Sequence, residues 1–335
     1  MTVQPMTALR LFDGAAVASA TPFAALVAAL RTAFAEGVEV PARHVHTWPD
    51  GDGGSLTSLL MPAWTRPGPQ GSGFYGVKII NVAPGNAARG LPGLHGSYTL
   101  FDAATGRPLA LLDADALTAR RTVAASALAA GYLARPDASR LLVVGAGRLA
   151  ALLPAAHRAV RPIRQVRVWA RRPEAAAALV ARWQTEGFDA EAATDLQAAL
   201  GAADIVSCAT LATEPLVQGA WLAPGAHLDL IGGFTPAMRE ADDDCFRGAR
   251  LAIDTEEALT KAGAASSRPP TCVPRWPSSA AAACPGARRR GSARCSSPSA
   301  RRSRTSQPRG WSGARWARHP RLDAPGLREV PPSPA

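Results

Sequence analysis

Apolar residues recur at helical spacing over residues 21–36. Phe23, Leu26, Val27, Leu30 and Phe34 form one stripe, with Thr21 and Pro22 suited to its start and Gly37 to its end. A stripe of this width is a core-facing one. Beyond Gly37 the period shortens, and β-like runs occupy residues 38–46, 55–61, 76–82, 97–101 and 109–112. Pro/Gly-rich turns at 66–73 and 84–93 separate them. Runs of strands with few helices predict an α+β unit. After Thr118 the spacing turns helical again and holds to Leu133.

From Arg140 the pattern alternates. Strands are expected at 141–144, 166–169, 189–192, 205–208, 227–232 and 251–254, and helices from 150 to about 160, at 174–186 and from Thr194. Strand–helix alternation predicts a doubly wound parallel sheet of Rossmann type. The expected fold is therefore α/β, with this sheet beside the smaller α+β unit. The expected division is residues 1–125 for the smaller unit and 126–263 for the nucleotide-binding one.

Gly145, Gly147 and Ala150 give the spacing G-x-G-x-x-A between the first strand and helix of that sheet. Such a turn lets the backbone approach a pyrophosphate, which sits on unpaired N–H groups. Where NAD enzymes usually carry an acidic residue, after the second strand, the chain has Ala170, Arg171 and Arg172. Two guanidiniums suit a 2′-phosphate, so NADPH is expected in preference to NADH. Further cofactor contacts are expected from the loops after Ser207 and Ile231, at the carboxyl ends of their strands.

The net charge of +11 changes this picture little, because it is localised. Residues 264–335 hold 14 Arg, no Lys and 2 acidic residues, which leaves 23 basic and 24 acidic residues in 1–263. The body is neutral, which removes the usual argument for a polyanionic partner. Of five cysteines only Cys208 and Cys245 lie in the body, without metal-ligand spacing. No uninterrupted apolar run approaches a membrane span, and Asp13 interrupts any leader-like core, so a cytoplasmic protein is expected.

Several short motifs recur in order: Met61-Pro62-Ala63, Gly76-Val77-Lys78, Leu100-Phe101-Asp102, Thr118-Ala119-Arg120-Arg121-Thr122, Thr210-Leu211-Ala212-Thr213-Glu214-Pro215 and Gly225-Ala226-His227. Over residues 8–263 the chain resembles the ornithine cyclodeaminase/mu-crystallin family. The resemblance implies a homodimer, with a Rossmann domain beside a smaller substrate-binding and dimerisation domain. It implies that Arg43, Lys78 and Arg121 hold a substrate carboxylate, as three spaced cations can. The cofactor site then comprises Thr122, Gly145, Ala146, Gly147, Arg148, Leu149, Arg171, Arg172, Thr210, Leu211 and Ile231.

Cyclodeaminases of the family place an Asp after two glycines, where this chain has Phe234 following Gly232-Gly233. Phe234 can neither accept a proton nor bind an amine. The pattern Gly-x-x-x-Pro-x-x-Arg-Glu, from Gly232 to Glu240, instead resembles the family's ketimine reductases. The chemistry implied is hydride transfer to the C=N carbon of a cyclic 2-imino acid such as Δ1-pyrroline-2-carboxylate or its six-membered analogue, giving L-proline or L-pipecolate. No general acid is identified; His44, His46, His95 and His157 qualify by chemistry alone. A cyclodeaminase, an amino-acid dehydrogenase of the same family and a non-catalytic ligand binder are the competing readings, and a nucleic-acid binder using the basic tail is a fourth.

Among the 72 residues from Ala264 onward, only Val273, Leu322, Leu327 and Val330 are Val, Leu, Ile, Phe or Met, so that segment is expected to be disordered. The family carries a T-V-F-K-S-V-G-like motif in this region. Residues 295–308, taken one base out of phase, are codon-compatible with V-F-K-S-V-G-T-A-L-E-D-L-A-A. The expectation is a single-base frameshift between about Gly263 and Cys295, and an impaired chain.

Overall fold

The computed structural model describes residues 9–51, 53–65, 73–254 and 258. The segment 264–335, with the expectations of a disordered and frameshifted tail, lies outside the described residues.

Two sheets share one long helix. The first has six strands: β1 (Arg10–Phe12), β2 (His44–Pro49), β3 (Ser55–Trp64), β4 (Phe74–Val82), β5 (Leu94–Asp102) and β6 (Pro108–Asp113). Their order is β1-β6-β5-β4-β3-β2, antiparallel throughout except for the β1–β6 pair. Strand β2 starts later than the expected run, and Glu39 instead forms an isolated bridge with Trp64.

Helix α1 (Gly14–Ala20) is capped by Asp13, whose carboxylate accepts from Ala16 N, and it was not expected from the sequence pattern. Thr21 closes α1 by donating to Val17 O, and α2 (Phe23–Glu36) starts one residue later than expected, after Pro22. The α2 stripe does face the core, with Val27 buried and Phe23, Leu26, Leu30 and Phe34 packed beside it.

Helix α3 (Ala114–Leu133) starts before Thr118, because Asp113 caps it through Ala116 N. Its buried positions are mostly alanine, and small side chains let it pass close to both sheets. Its first residue packs on the six-stranded sheet: a Cβ at Gly96 would stand 3.2 Å from Ala114 Cβ. Farther along, Val123, Ala127 and Leu128 enter the core of the second sheet.

That second sheet is parallel and five-stranded: β7 (Arg140–Val144), β8 (Gln165–Trp169), β9 (Asp189–Ala192), β10 (Ile205–Cys208) and β11 (His227–Leu230). The order is β11-β10-β7-β8-β9. The chain winds outward from β7 through β8 to β9, then returns to the other side of β7. The expectation of a Rossmann-type sheet beside a smaller α+β unit is met. Leu141 to Val144 are buried on both faces, as a continuous apolar run in a central parallel strand should be. Residues 251–254 form no strand among the described residues.

The helix expected after the glycine turn is a short 3-10 turn (Ala150–Leu152) followed by α4 (Leu153–Arg158). Pro154 explains the break, since it has no N–H to give to the carbonyl of Ala150. Helices α5 (Pro173–Thr185) and α6 (Leu196–Ala202) complete the layers. Trp183 of α5 is fully buried and donates to Ala151 O, pinning α5 to the turn that follows the glycines. Among the described residues no single helix is long and apolar enough to cross a membrane.

Candidate active site

In the order β11-β10-β7-β8-β9 the winding reverses between β7 and β10, and a doubly wound sheet binds its ligand at the carboxyl end of that crevice. Gly145 follows β7 there with φ +113°, and a Cβ on it would stand 2.6 Å from Ala209 O, so only glycine fits. Gly147 faces open space. Gly145 N is spent on Trp169 O at 2.8 Å. The N–H groups of Ala146, Gly147, Arg148 and Leu149 reach no backbone carbonyl among the described residues, which leaves a cradle of donors able to hold a pyrophosphate.

Thr210 and Leu211 follow β10, and Ile231 follows β11, on the same side of the sheet. Thr210 borders the glycine turn directly, its Cγ2 lying 3.2 Å from where a Cβ of Gly145 would be. Leu211 is two-thirds exposed. Arg148 leaves the glycine turn to pair with Asp115 in the first turn of α3, a contact that the sequence pattern did not suggest. Thr122 sits on α3 and donates to Thr118 O at 2.7 Å.

The cationic residues gather on the six-stranded sheet. Lys78 on β4 is directly opposite Met61 on β3 and Tyr98 on β5, so the three share a face. Arg43 stands one residue before His44, which pairs with Leu60, and is therefore in phase with Met61 and Lys78. Ile80, on the same face of β4, is buried beneath the start of α3, which identifies this as the helix-covered face. Arg121 comes from α3.

Burial, then Arg121 and then Arg43, lower the Lys78 pKa from 10.5 to about 8. The two guanidiniums are thus close enough to act on the ammonium. Burial also lowers Arg121, and Asp254 acts in the opposite direction, a contact with no sequence signature. Arg121 nevertheless has substantial solvent-accessible area, as a side chain in a water-accessible recess would.

The candidate histidines fall elsewhere. By register His44, His46 and His95 lie on the sheet face opposite Lys78. His157 is fully buried on α4, and its Nδ1 bonds Leu153 O at 3.0 Å. Among the described residues no group of three His, Cys, Asp or Glu is placed to hold a metal. Glu240 enters the sequence reading only as the end of a motif, yet it is buried and bonds the loops after both β10 and β11.

The profile of the ornithine cyclodeaminase/mu-crystallin family matches residues 14–273. Delta(1)-pyrroline-2-carboxylate reductase of Paracoccus denitrificans is 47% identical over 202 residues, 60% of this chain and 62% of that enzyme. Among solved structures, Delta(1)-pyrroline-2-carboxylate reductase of Thermococcus litoralis in complex with NADH and L-proline superposes with TM-score 0.68 at 29% identity, covering 76% of this chain and 79% of that one. An archaeal alanine dehydrogenase dimer with bound NAD gives TM-score 0.65 at 27% identity, over 75% and 76% of the two chains.

These relatives correct the expectation of NADPH, since both hold the cofactor without a 2′-phosphate. The physical reason lies at Arg171 and Arg172. Both are exposed in the turn before Pro173, and Arg172 makes no capping bond to α5. Solvent satisfies an exposed guanidinium as well as a phosphate does, so the pair does not by itself call for a 2′-phosphate. The expectation of an oxidoreductase built on an NAD(P)-binding Rossmann fold is borne out by the family and the fold.

Proposed function

Because the chain belongs to the ornithine cyclodeaminase/mu-crystallin family, we propose that it reduces a cyclic 2-imino carboxylate, Δ1-pyrroline-2-carboxylate or its six-membered analogue, using NADH. The observation that carries this reading is the trio Arg43, Lys78 and Arg121, gathered on the helix-covered face of the smaller unit. The names of the Paracoccus and Thermococcus relatives support the substrate class, and the bound NADH and L-proline of the latter support the cofactor.

In this reading residues 1–125 form the substrate and dimerisation unit and 126–263 the dinucleotide unit. Thr122, the glycine turn from Gly145 to Leu149, Thr210, Leu211 and Ile231 border the dinucleotide. A bound nicotinamide supplies the hydride. The chain's own task is to hold the carboxylate on three cations, so that the C=N carbon is presented in one orientation. An anion arriving beside Lys78 offsets the desolvation and the like charges that lower its pKa, which strengthens that hold.

The other face of the six-stranded sheet supports a homodimer. Leu11 is 73% exposed, and a ladder of Trp64, Tyr75 and Phe101 crosses three strands at centroid spacings of 6.4 and 5.4 Å. This apolar face, partly exposed among the described residues, suits a second copy. Residues 264–335 enter as an out-of-frame stretch.

The test is NADH consumption by the chain, and by a frame-restored version, with each ring size of imine. Turnover by the restored chain is the expected result. NADH binding without turnover would replace the reading by a ligand binder, and ammonia release from ornithine would replace it by a cyclodeaminase. A coding DNA that lacks F-K-S-V-G one base out of phase would remove the frameshift.

A further inference from the structure

After β11 the chain doubles back over the loops that end β10 and β11. Arg239 N donates to Ala212 O at 2.7 Å, and Glu240 O accepts from Leu216 N and Val217 N at 2.9 and 3.0 Å. The Glu240 side chain turns the other way and is 3% exposed. Its Oε1 accepts from Thr210 N at 2.7 Å and from Thr210 Oγ1 at 2.8 Å, and its Oε2 accepts from Gly232 N at 2.9 Å. One carboxylate thus joins the second residues of two neighbouring loops.

The space around it has no slack. A Cβ at Gly232 would collide with Thr210 O and with Glu240 Oε1, so glycine is required where the carboxylate passes. Thr210 in turn leans on Gly145 of the glycine turn. The chain of contact runs from Glu240 through Thr210 to the glycine that follows β7. All three donors to Glu240 are neutral. A carboxylate buried on neutral donors is a poor device for stability, because its desolvation is only partly returned. It is a good device for fixing distance, since two oxygens at a set spacing accept from two backbones at once.

Resting on the dinucleotide reading above, we propose that Glu240 is a positioning residue for the cofactor. It sets the gap between the Thr210 loop and the glycine turn, and keeps both loops in the binding arrangement before the dinucleotide arrives. It touches no reacting atom.

The test titrates NADH fluorescence against the full chain and its Glu240→Gln variant. Glutamine keeps size and burial but offers an amide N–H toward Gly232 N–H, so the dissociation constant should rise about tenfold. The Asp204→Asn variant, which removes charge from a buried carboxylate at the other end of β10, should leave that constant unchanged. A Glu240→Gln protein that binds less NADH per mole at unaltered affinity has lost only folded fraction, and overturns the proposal. Should Glu240→Gln fail to fold, Glu240→Asp decides: it keeps the charge but shortens the reach, and affinity should fall about threefold, with unchanged affinity again overturning the idea. A wild-type chain that binds no NADH overturns the parent reading instead.

Discussion

At the amino end of the parallel sheet Arg135 and Arg140 meet a buried carboxylate, whereas on the other sheet Lys78 meets two more cations. Asp204, 6% exposed, accepts from Arg135 Nη2 at 2.7 Å, Arg140 Nη2 at 2.8 Å, and the N–H groups of Ser139 and Arg140 at 3.0 Å each. The Arg140 side-chain bond leads the influences that bring its pKa down to about 2. Every influence on Lys78, by contrast, pushes its proton off. The first cluster is complete in itself and serves the fold. The second is stable only at a cost, and such a cost persists where a ligand removes it.

Neutralising Lys78 should have the largest effect. Lys78→Met keeps the stem and deletes the charge, and kcat/KM for the imine should fall by about 10²–10³-fold, the loss of one charge-assisted contact in the transition state. The melting temperature should hold or rise, because repulsion with Arg121 and Arg43 is relieved. A variant that melts earlier and keeps its KM would make the trio a structural cluster and dissolve the contrast.

Asp204→Asn should do the reverse. Asparagine cannot serve both guanidiniums and two backbone donors, and urea unfolding should show about 2–3 kcal/mol of lost stability. Activity per folded molecule should not change. The same carboxylate gives a pH signature of about 2 kcal/mol. Its folded pKa lies below its unfolded one, so its contribution is complete above pH ~4 and is lost as pH falls toward about 2. Unfolding midpoints measured down that range should drop for wild type and stay flatter for Asp204→Asn.

The glycine turn was legible because its function constrains backbone, and backbone constraint is written as glycine: Gly145 at φ +113° could be little else. The parallel strands were legible for a similar reason, as burial on both faces leaves an unbroken apolar run at Leu141 to Val144. The reading failed where tertiary partners decide. Arg171 and Arg172 looked like a phosphate clamp, yet an arginine pair in sequence says nothing about whether solvent already satisfies it. Helix α4 was overdrawn because alanine content masked Pro154. Glu240 and Asp254 could not be singled out, since their partners, Thr210 and Arg121, are distant in sequence and close only once both loops fold.

The smallest effect is also the one that reads the cation trio most directly. With its pKa near 8, Lys78 loses its charge well before an ordinary lysine does as pH rises. Substrate carboxylate binds the protonated form better, so linkage requires that binding raise the Lys78 pKa. KM for the imine should therefore be flat below pH ~8 and climb severalfold over the next unit or so, before levelling on the two arginines. The KM for NADH should not share that rise, because the ammonium belongs to the carboxylate and not to the glycine turn. In stability the slope has the same sign as that of Asp204, although charged Lys78 is a penalty where charged Asp204 is a gain: a lysine whose folded pKa lies below its unfolded value holds the folded state back at low pH, and releases it as pH climbs from about 8 toward ~10. Lys78→Met should abolish both trends together, and if either survives the substitution the group near 8 is some other residue.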